Sequence, residues 1–70
     1  MRRNDLFLKQ VGSRIRAYRL AKKLSQTQLG KMCELDFTTV SKIELGQYGS
    51  RITTLKNIAD QLGVDVKDFL

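Results

Sequence analysis

Leu24-Ser25-Gln26-Thr27-Gln28-Leu29, followed after a short gap by Asp36-Phe37-Thr38-Thr39-Val40-Ser41-Lys42-Ile43-Glu44-Leu45-Gly46, decides the fold of this 70-residue chain. Ser25 and Gln28 have the form of a capping box. The hydroxyl accepts from the backbone of the third helical residue, and the Gln28 side chain reaches back to the backbone of Ser25. A helix therefore opens at Ser25, with Leu29, Met32 and Cys33 on its apolar side. It is short, because Glu34-Leu35-Asp36 reads as a turn. Asp36 caps a second short helix through Leu45, and Gly46 closes it by supplying left-handed backbone. Two capped helices joined by so brief a turn make one angular unit.

Outward from this unit the same periodicity continues. Asn4 or Asp5 can cap a first helix running to Lys23, with Val11, Ile15 and Tyr18 on one stripe and Lys22 and Lys23 suiting the negative end of the helix dipole. After a polar loop from Gln47 to Ile52, a helix from Thr53 carries Leu55, Ile58, Ala59 and Leu62 at i, i+3, i+4 and i+7, and Gly63 ends it. Residues 65–70 read as a last capped turn or two, with Phe69 as a core filler. No segment alternates with a period of two. The expected fold is all-α, a compact five-helix bundle in one domain over residues 1–70, with residues 1–4 as a disordered arm.

Composition removes whole classes of function. With no His and one cysteine, Cys33, the chain can build neither a Cys/His zinc site nor a Ser-His or Cys-His nucleophile pair. Cys33 cannot form an internal disulfide, which fits a reducing setting, and reads first as a small core residue and second as a redox switch. The longest apolar run, Leu6-Phe7-Leu8, is far too short to span a bilayer. No Gly-rich phosphate loop is present. The expectation is a non-enzymatic cytoplasmic protein with no cofactor, no metal and no small-molecule ligand.

Charge points instead to a polyanion. The net charge is +6, and residues 1–35 hold nine Lys or Arg against two acids, whereas residues 36–70 hold four against five. Such concentration suits a nucleic acid, although a solvated basic face would look the same. If Leu29, Leu35, Val40 and Ile43 face inward, then Phe37, Thr38, Ser41, Lys42 and Leu45 face outward from the third helix. A recognition helix presents its N-terminal residues to base edges in the major groove, and hydroxyls and Lys are suitable readers. Phe37 reads either as a wedge against a thymine methyl or as a lid on the core. Tyr48 reads as a phosphate contact or a packing residue. Gln26, just past the cap, is placed for a phosphate. Arg14, Arg16, Lys22, Lys23 and Lys31 read as a solvated face giving long-range attraction, and Arg2 and Arg3 as an arm along DNA or a disordered terminus. Val66 and Leu70 are candidates for a dimer seam.

From Val11 to Leu70 the chain resembles the Cro and lambda-type phage repressor (XRE-type) helix-turn-helix family. The resemblance is carried by Ile15-Arg16-Ala17-Tyr18-Arg19, Leu24-Ser25-Gln26-Thr27-Gln28-Leu29, Thr39-Val40-Ser41-Lys42-Ile43-Glu44-Leu45-Gly46 and Thr54-Leu55-Lys56-Asn57-Ile58-Ala59-Asp60-Gln61-Leu62-Gly63-Val64. It implies five helices, a transcriptional regulator binding a near-palindromic double-stranded DNA operator as a homodimer, and no catalysis. It implies base contacts from Phe37, Thr38 and Lys42, with Ser41 beside them. Gln26 would touch a phosphate and brace the recognition helix, and Arg51 would serve as a basic loop residue on phosphate. Arg19 and Glu44 would form a structural ion pair. The same fold without DNA binding, as a protein-interaction module, is the alternative. Three departures from the family pattern stand out. Glu34 replaces a turn Gly and would strain a positive φ. Gly30 replaces Ala and would loosen the second helix. Ser50-Arg51 replaces Pro-Ser and leaves Ser50 or Thr53 as the cap of the fourth helix.

Overall fold

The structure, a computed structural model, describes residues 3–70, with the side chain of Arg3 left out. Four α-helices, α1 (Arg3–Ala21), α2 (Gln26–Cys33), α3 (Phe37–Glu44) and α4 (Ile52–Leu62), are followed by a single 3₁₀ turn, Val66–Phe69. The expected fifth helix is therefore this turn. Asp65 and Asp68 form a reciprocal capping box around it, but four residues are too few to propagate an α-helix. Met1 and Arg2, part of the expected arm, lie outside the described residues, while Arg3 and Asn4 are already helical.

Each of the four helices ends on one residue of positive φ: Lys23 at 58°, Glu34 at 58°, Gly46 at 73° and Gly63 at 72°. At each end the next amide reaches back five residues, as in Leu24 N to Arg19 O at 3.2 Å and Leu35 N to Gly30 O at 2.7 Å. These are Schellman closures, which satisfy carbonyls the helix leaves orphaned. The two glycines accept this conformation freely, whereas Lys23 and Glu34 carry a side-chain clash of about 1 kcal/mol or more. The strain at Glu34 is thus present as expected. Lys23 lies beyond α1, which stops at Ala21.

Capping follows the sequence at α2, where both bonds of the Ser25–Gln28 box form, and departs from it at α3 and α4. Asp36 holds the N-cap position of α3 with extended backbone, yet its side chain makes no capping bond. Helix α4 starts at Ile52 with Arg51 at the N-cap, so neither Ser50 nor Thr53 serves.

The core gathers Val11 and Ile15 of α1, Leu29 and Cys33 of α2, Val40 and Ile43 of α3, four residues of α4, and Phe69 from the last turn. Phe69 is fully buried, with its ring centroid 5.9 Å from that of half-buried Tyr18. Leu35 is half-buried. Met32, expected on the apolar side of α2, is 39% exposed, because the core contact of this helix falls on the Leu29–Gly30–Cys33 edge. Two glycines mark backbone approaches. A Cβ on Gly12 would press on the carbonyls of Ile43 and Glu44, 2.5 Å from the latter, so α1 crosses directly over the end of α3. A Cβ on Gly30 would lie 2.5 Å from the Leu35 carbonyl oxygen. Gly30 therefore admits the turn between α2 and α3 rather than merely loosening a helix.

Candidate nucleic-acid interface

Helix α3 is fixed from behind. Val40 and Ile43 are buried, and Glu44 at its last turn is buried beside Arg19 of α1. Arg19 Nε lies 2.6 Å from Glu44 Oε2, and Arg19 Nη2 lies 2.9 Å from Oε1, a bidentate fork in which planar guanidinium meets planar carboxylate. The third edge of Arg19 is also used, with Nη1 donating to the Leu24 carbonyl at 2.7 Å. The Arg19 guanidinium is held above its ordinary pKa, chiefly by the hydrogen bond to Glu44, with burial opposing and the carboxylate's charge assisting. The pair implied by the resemblance is therefore present. It joins α1, the segment ahead of α2 and α3 at a single point.

With its inner stripe buried, α3 turns its other face outward. Phe37 is 58% exposed and is not one of the buried core residues. Thr38 and Lys42 are exposed, Ser41 is half-buried, and Leu45 is exposed at the helix end. Phe37 and Thr38, in the first turn of α3, are thus exposed, as base-edge readers must be.

The expected phosphate residues sit in different settings. Gln26, the first residue of α2, is half-buried and donates through Nε2 to Glu44 Oε1 at 3.2 Å. It does brace the third helix, and it does so through the carboxylate of the ion pair. Arg51 is exposed at the start of α4. Tyr48 is half exposed and lines a small cavity of about 60 Å³ with Phe7, Leu8, Val11, Ile43, Ser50 and Leu55, so its ring both packs and faces out.

Several contacts lay beyond sequence reasoning. Arg14, expected to be solvated, donates through Nη1 to the main-chain oxygens of Phe69 at 3.2 Å and Leu70 at 2.7 Å, tying the end of the chain to α1. Asn57 Nδ2 donates to the Cys33 carbonyl at 3.0 Å and anchors α4 on the end of α2. No local pattern marks either residue, because both partners are backbone groups distant in sequence. Cys33 is buried, and desolvation pushes its thiol pKa up, which fits a packing residue. Of the two seam candidates, Val66 packs partly against the core and Leu70 is half exposed. Among the described residues there is no cluster of metal-ligating side chains, and no helix is long and apolar enough to cross a membrane.

A strongly basic domain built around two angular helices, the second with a polar outer face, is a DNA-binding regulatory protein of the helix-turn-helix class. Residues 15–69 match the family described as Helix-turn-helix, HTH_3, and the chain belongs to it. It is 37% identical over 60 residues to Control protein C.BamHI of Bacillus amyloliquefaciens, covering 84% of this chain and 74% of that protein. It is 38% identical over 56 residues to the Immunity repressor protein of Bacillus phage phi105, covering 80% of this chain but only 39% of the repressor. The fold superposes on the restriction-modification controller protein C.AhdI from Aeromonas hydrophila with a TM-score of 0.92 at 28% identity, over 99% of this chain and 100% of that one.

Proposed function

We propose that this chain is a sequence-specific transcriptional regulator, a repressor or controller that binds a near-palindromic operator as a homodimer in the cytoplasm of a bacterium, encoded by the cell or by a phage. The observation that carries this reading is the division of α3, with Val40, Ile43 and Glu44 buried and Phe37, Thr38 and Lys42 presented to solvent. Phe37, Thr38, Ser41 and Lys42 read base edges, and Gln26, Tyr48 and Arg51 hold phosphates on either side. Thr offers one hydroxyl to any base edge, Lys seeks the guanine acceptors, and the Phe37 ring suits a thymine methyl. Base contacts carry the sequence information, while phosphate contacts fix the register. The buried Arg19–Glu44 fork supports this by holding α3 at a set angle to α1.

A single recognition helix contacts too few bases for selectivity, so two copies act together. Two recognition helices in successive major grooves stand roughly 34 Å apart, and the operator repeats accordingly. Leu70 supplies exposed apolar surface for a seam, while Val66 contributes only the part not turned to the core.

Selection of bound sequences from random duplex DNA, combined with sedimentation of the complex, tests the proposal. The expected outcome is one half-site repeated with two-fold symmetry and two protein chains per site. Absence of any enriched sequence would remove the operator reading in favour of a protein-interaction module of the same fold. A complex holding one chain on every selected site would remove the dimer.

A further inference from the structure

The geometry points to Glu44 as a positioning residue for DNA binding, one that sets which atom of the Gln26 amide faces inward and so leaves an N–H free for a phosphate. It rests on the reading of Gln26 as a phosphate contact.

A primary amide has two nearly isosteric ends, a carbonyl oxygen that accepts and an NH₂ that donates twice. On an unconstrained side chain either end can face a phosphate, and the oxygen end repels it. Glu44 removes this ambiguity. As a carboxylate it only accepts, so it selects Nε2 of Gln26, which it holds at 3.2 Å. One N–H of Gln26 is then spent on Glu44 and its second remains available. Glu44 cannot itself turn away, because Arg19 holds both of its oxygens, at 2.6 Å and 2.9 Å. Arg19 also fixes the Leu24 carbonyl, immediately ahead of the Ser25 cap. The ion pair therefore grips the start of α2 twice, once by backbone and once through the Gln26 side chain. Arg19 already engages both oxygens of Glu44, so the Gln26 contact is additional to the ion pair. The fork would be complete without it.

A double-mutant cycle on binding to a random-sequence duplex tests this, since a phosphate contact is independent of sequence. Gln26→Ala in the native background should weaken binding roughly tenfold, as expected for a hydrogen bond to a charged group. In a Glu44→Gln background, where residue 44 offers oxygen and nitrogen alike and Gln26 is free to flip, the competent orientation is about half populated, so the same Gln26→Ala change should cost about fivefold, half the native figure. Should Glu44→Gln fail to fold, Arg19→Met with Glu44→Leu replaces the pair by apolar side chains and serves as the second background. In the free native protein, the Gln26 side-chain NH₂ protons should show slowed exchange in NMR spectra, and this protection should vanish in whichever Glu44 variant folds. An equal cost of Gln26→Ala in both backgrounds would overturn the positioning role while leaving the phosphate contact standing. No cost in the native background would overturn the phosphate contact itself, and the positioning role with it.

Discussion

Replacing Glu44 by Ala removes the centre of the network that joins α1, α2 and α3. In the native fold the carboxylate accepts from Arg19 Nε at 2.6 Å, Arg19 Nη2 at 2.9 Å and Gln26 Nε2 at 3.2 Å, and both charged residues are only 6% exposed. After the change Arg19 retains one partner, the Leu24 carbonyl, and its charge stays in a poorly solvated place. Breaking a buried pair by deleting one member costs about 3–5 kcal/mol. Stability of roughly 0.05–0.15 kcal/mol per residue gives a domain of this length about 4–10 kcal/mol in all, so the loss takes from about a third to all of it. The melting temperature should fall by roughly 12–40 °C, at 4–8 °C per kcal/mol for a small domain. Circular dichroism during thermal and urea unfolding measures this directly. Arg19→Met with Glu44→Leu should be much more stable than Glu44→Ala, because no charge is then stranded. The Arg19 side of the pair carries little pH dependence. Its pKa is raised on folding, so its contribution is complete below the unfolded value and is lost only as pH rises through the still higher folded value, beyond ordinary conditions. A Glu44→Ala melting temperature within a few degrees of native, or a double variant no better than the single one, would refute the reasoning.

Gly12→Ala should destabilise by roughly 1–3 kcal/mol, since the new methyl presses on the carbonyls of Ile43 and Glu44 and must push α1 off α3; a urea midpoint equal to native would contradict that crossing. Glu34→Gly relieves a left-handed residue at φ 58° on an exposed turn and should raise stability by about 0.5–1 kcal/mol, after the greater freedom of Gly in the unfolded chain is offset. Cys33 should react with a thiol reagent only as fast as the fold opens, with the rate rising in urea. Its raised pKa also means stability is complete below the unfolded thiol value and declines as pH climbs from there toward the folded one. Rapid labelling of native protein at neutral pH would place the thiol at the surface.

The features legible in the sequence are those whose physics is local. The Ser25–Gln28 box, the glycine ends at Gly46 and Gly63 and the stripe through Leu55, Ile58, Ala59 and Leu62 each depend on residues within one or two turns, and all four appear as expected. The Arg19–Glu44 pair spans 25 residues, and it is the family resemblance, not periodicity, that points to it. Failures fall where a local signal competes with packing. Asp36 takes the expected N-cap position of α3 but makes no side-chain capping bond, and Ser50 does not cap α4, which begins one residue before Thr53 with Arg51 at its N-cap. Lys23 takes left-handed backbone with no glycine to announce it, because the Schellman closure and the Arg19–Leu24 bond determine that turn. At the candidate interface, the outward set of α3 follows from its period alone. The link from Gln26 to Glu44 does not, since it joins the first turn of one helix to the last turn of the next.

The central claim, that α3 reads bases while its flanks hold phosphates, is tested most directly by comparing Lys42→Ala with Arg51→Ala on a selected operator and on random duplex across a salt series. Both side chains are exposed, so both variants should fold. Lys42→Ala should lose roughly 1–3 kcal/mol on the operator and relax base preference at one position in each half-site, with far less effect on random DNA. Arg51→Ala should weaken both DNAs by similar factors and make the salt dependence shallower by about one unit per contact removed. Equal weakening of both DNAs by Lys42→Ala, with base preference intact, would contradict the account, as would unchanged affinity in both variants.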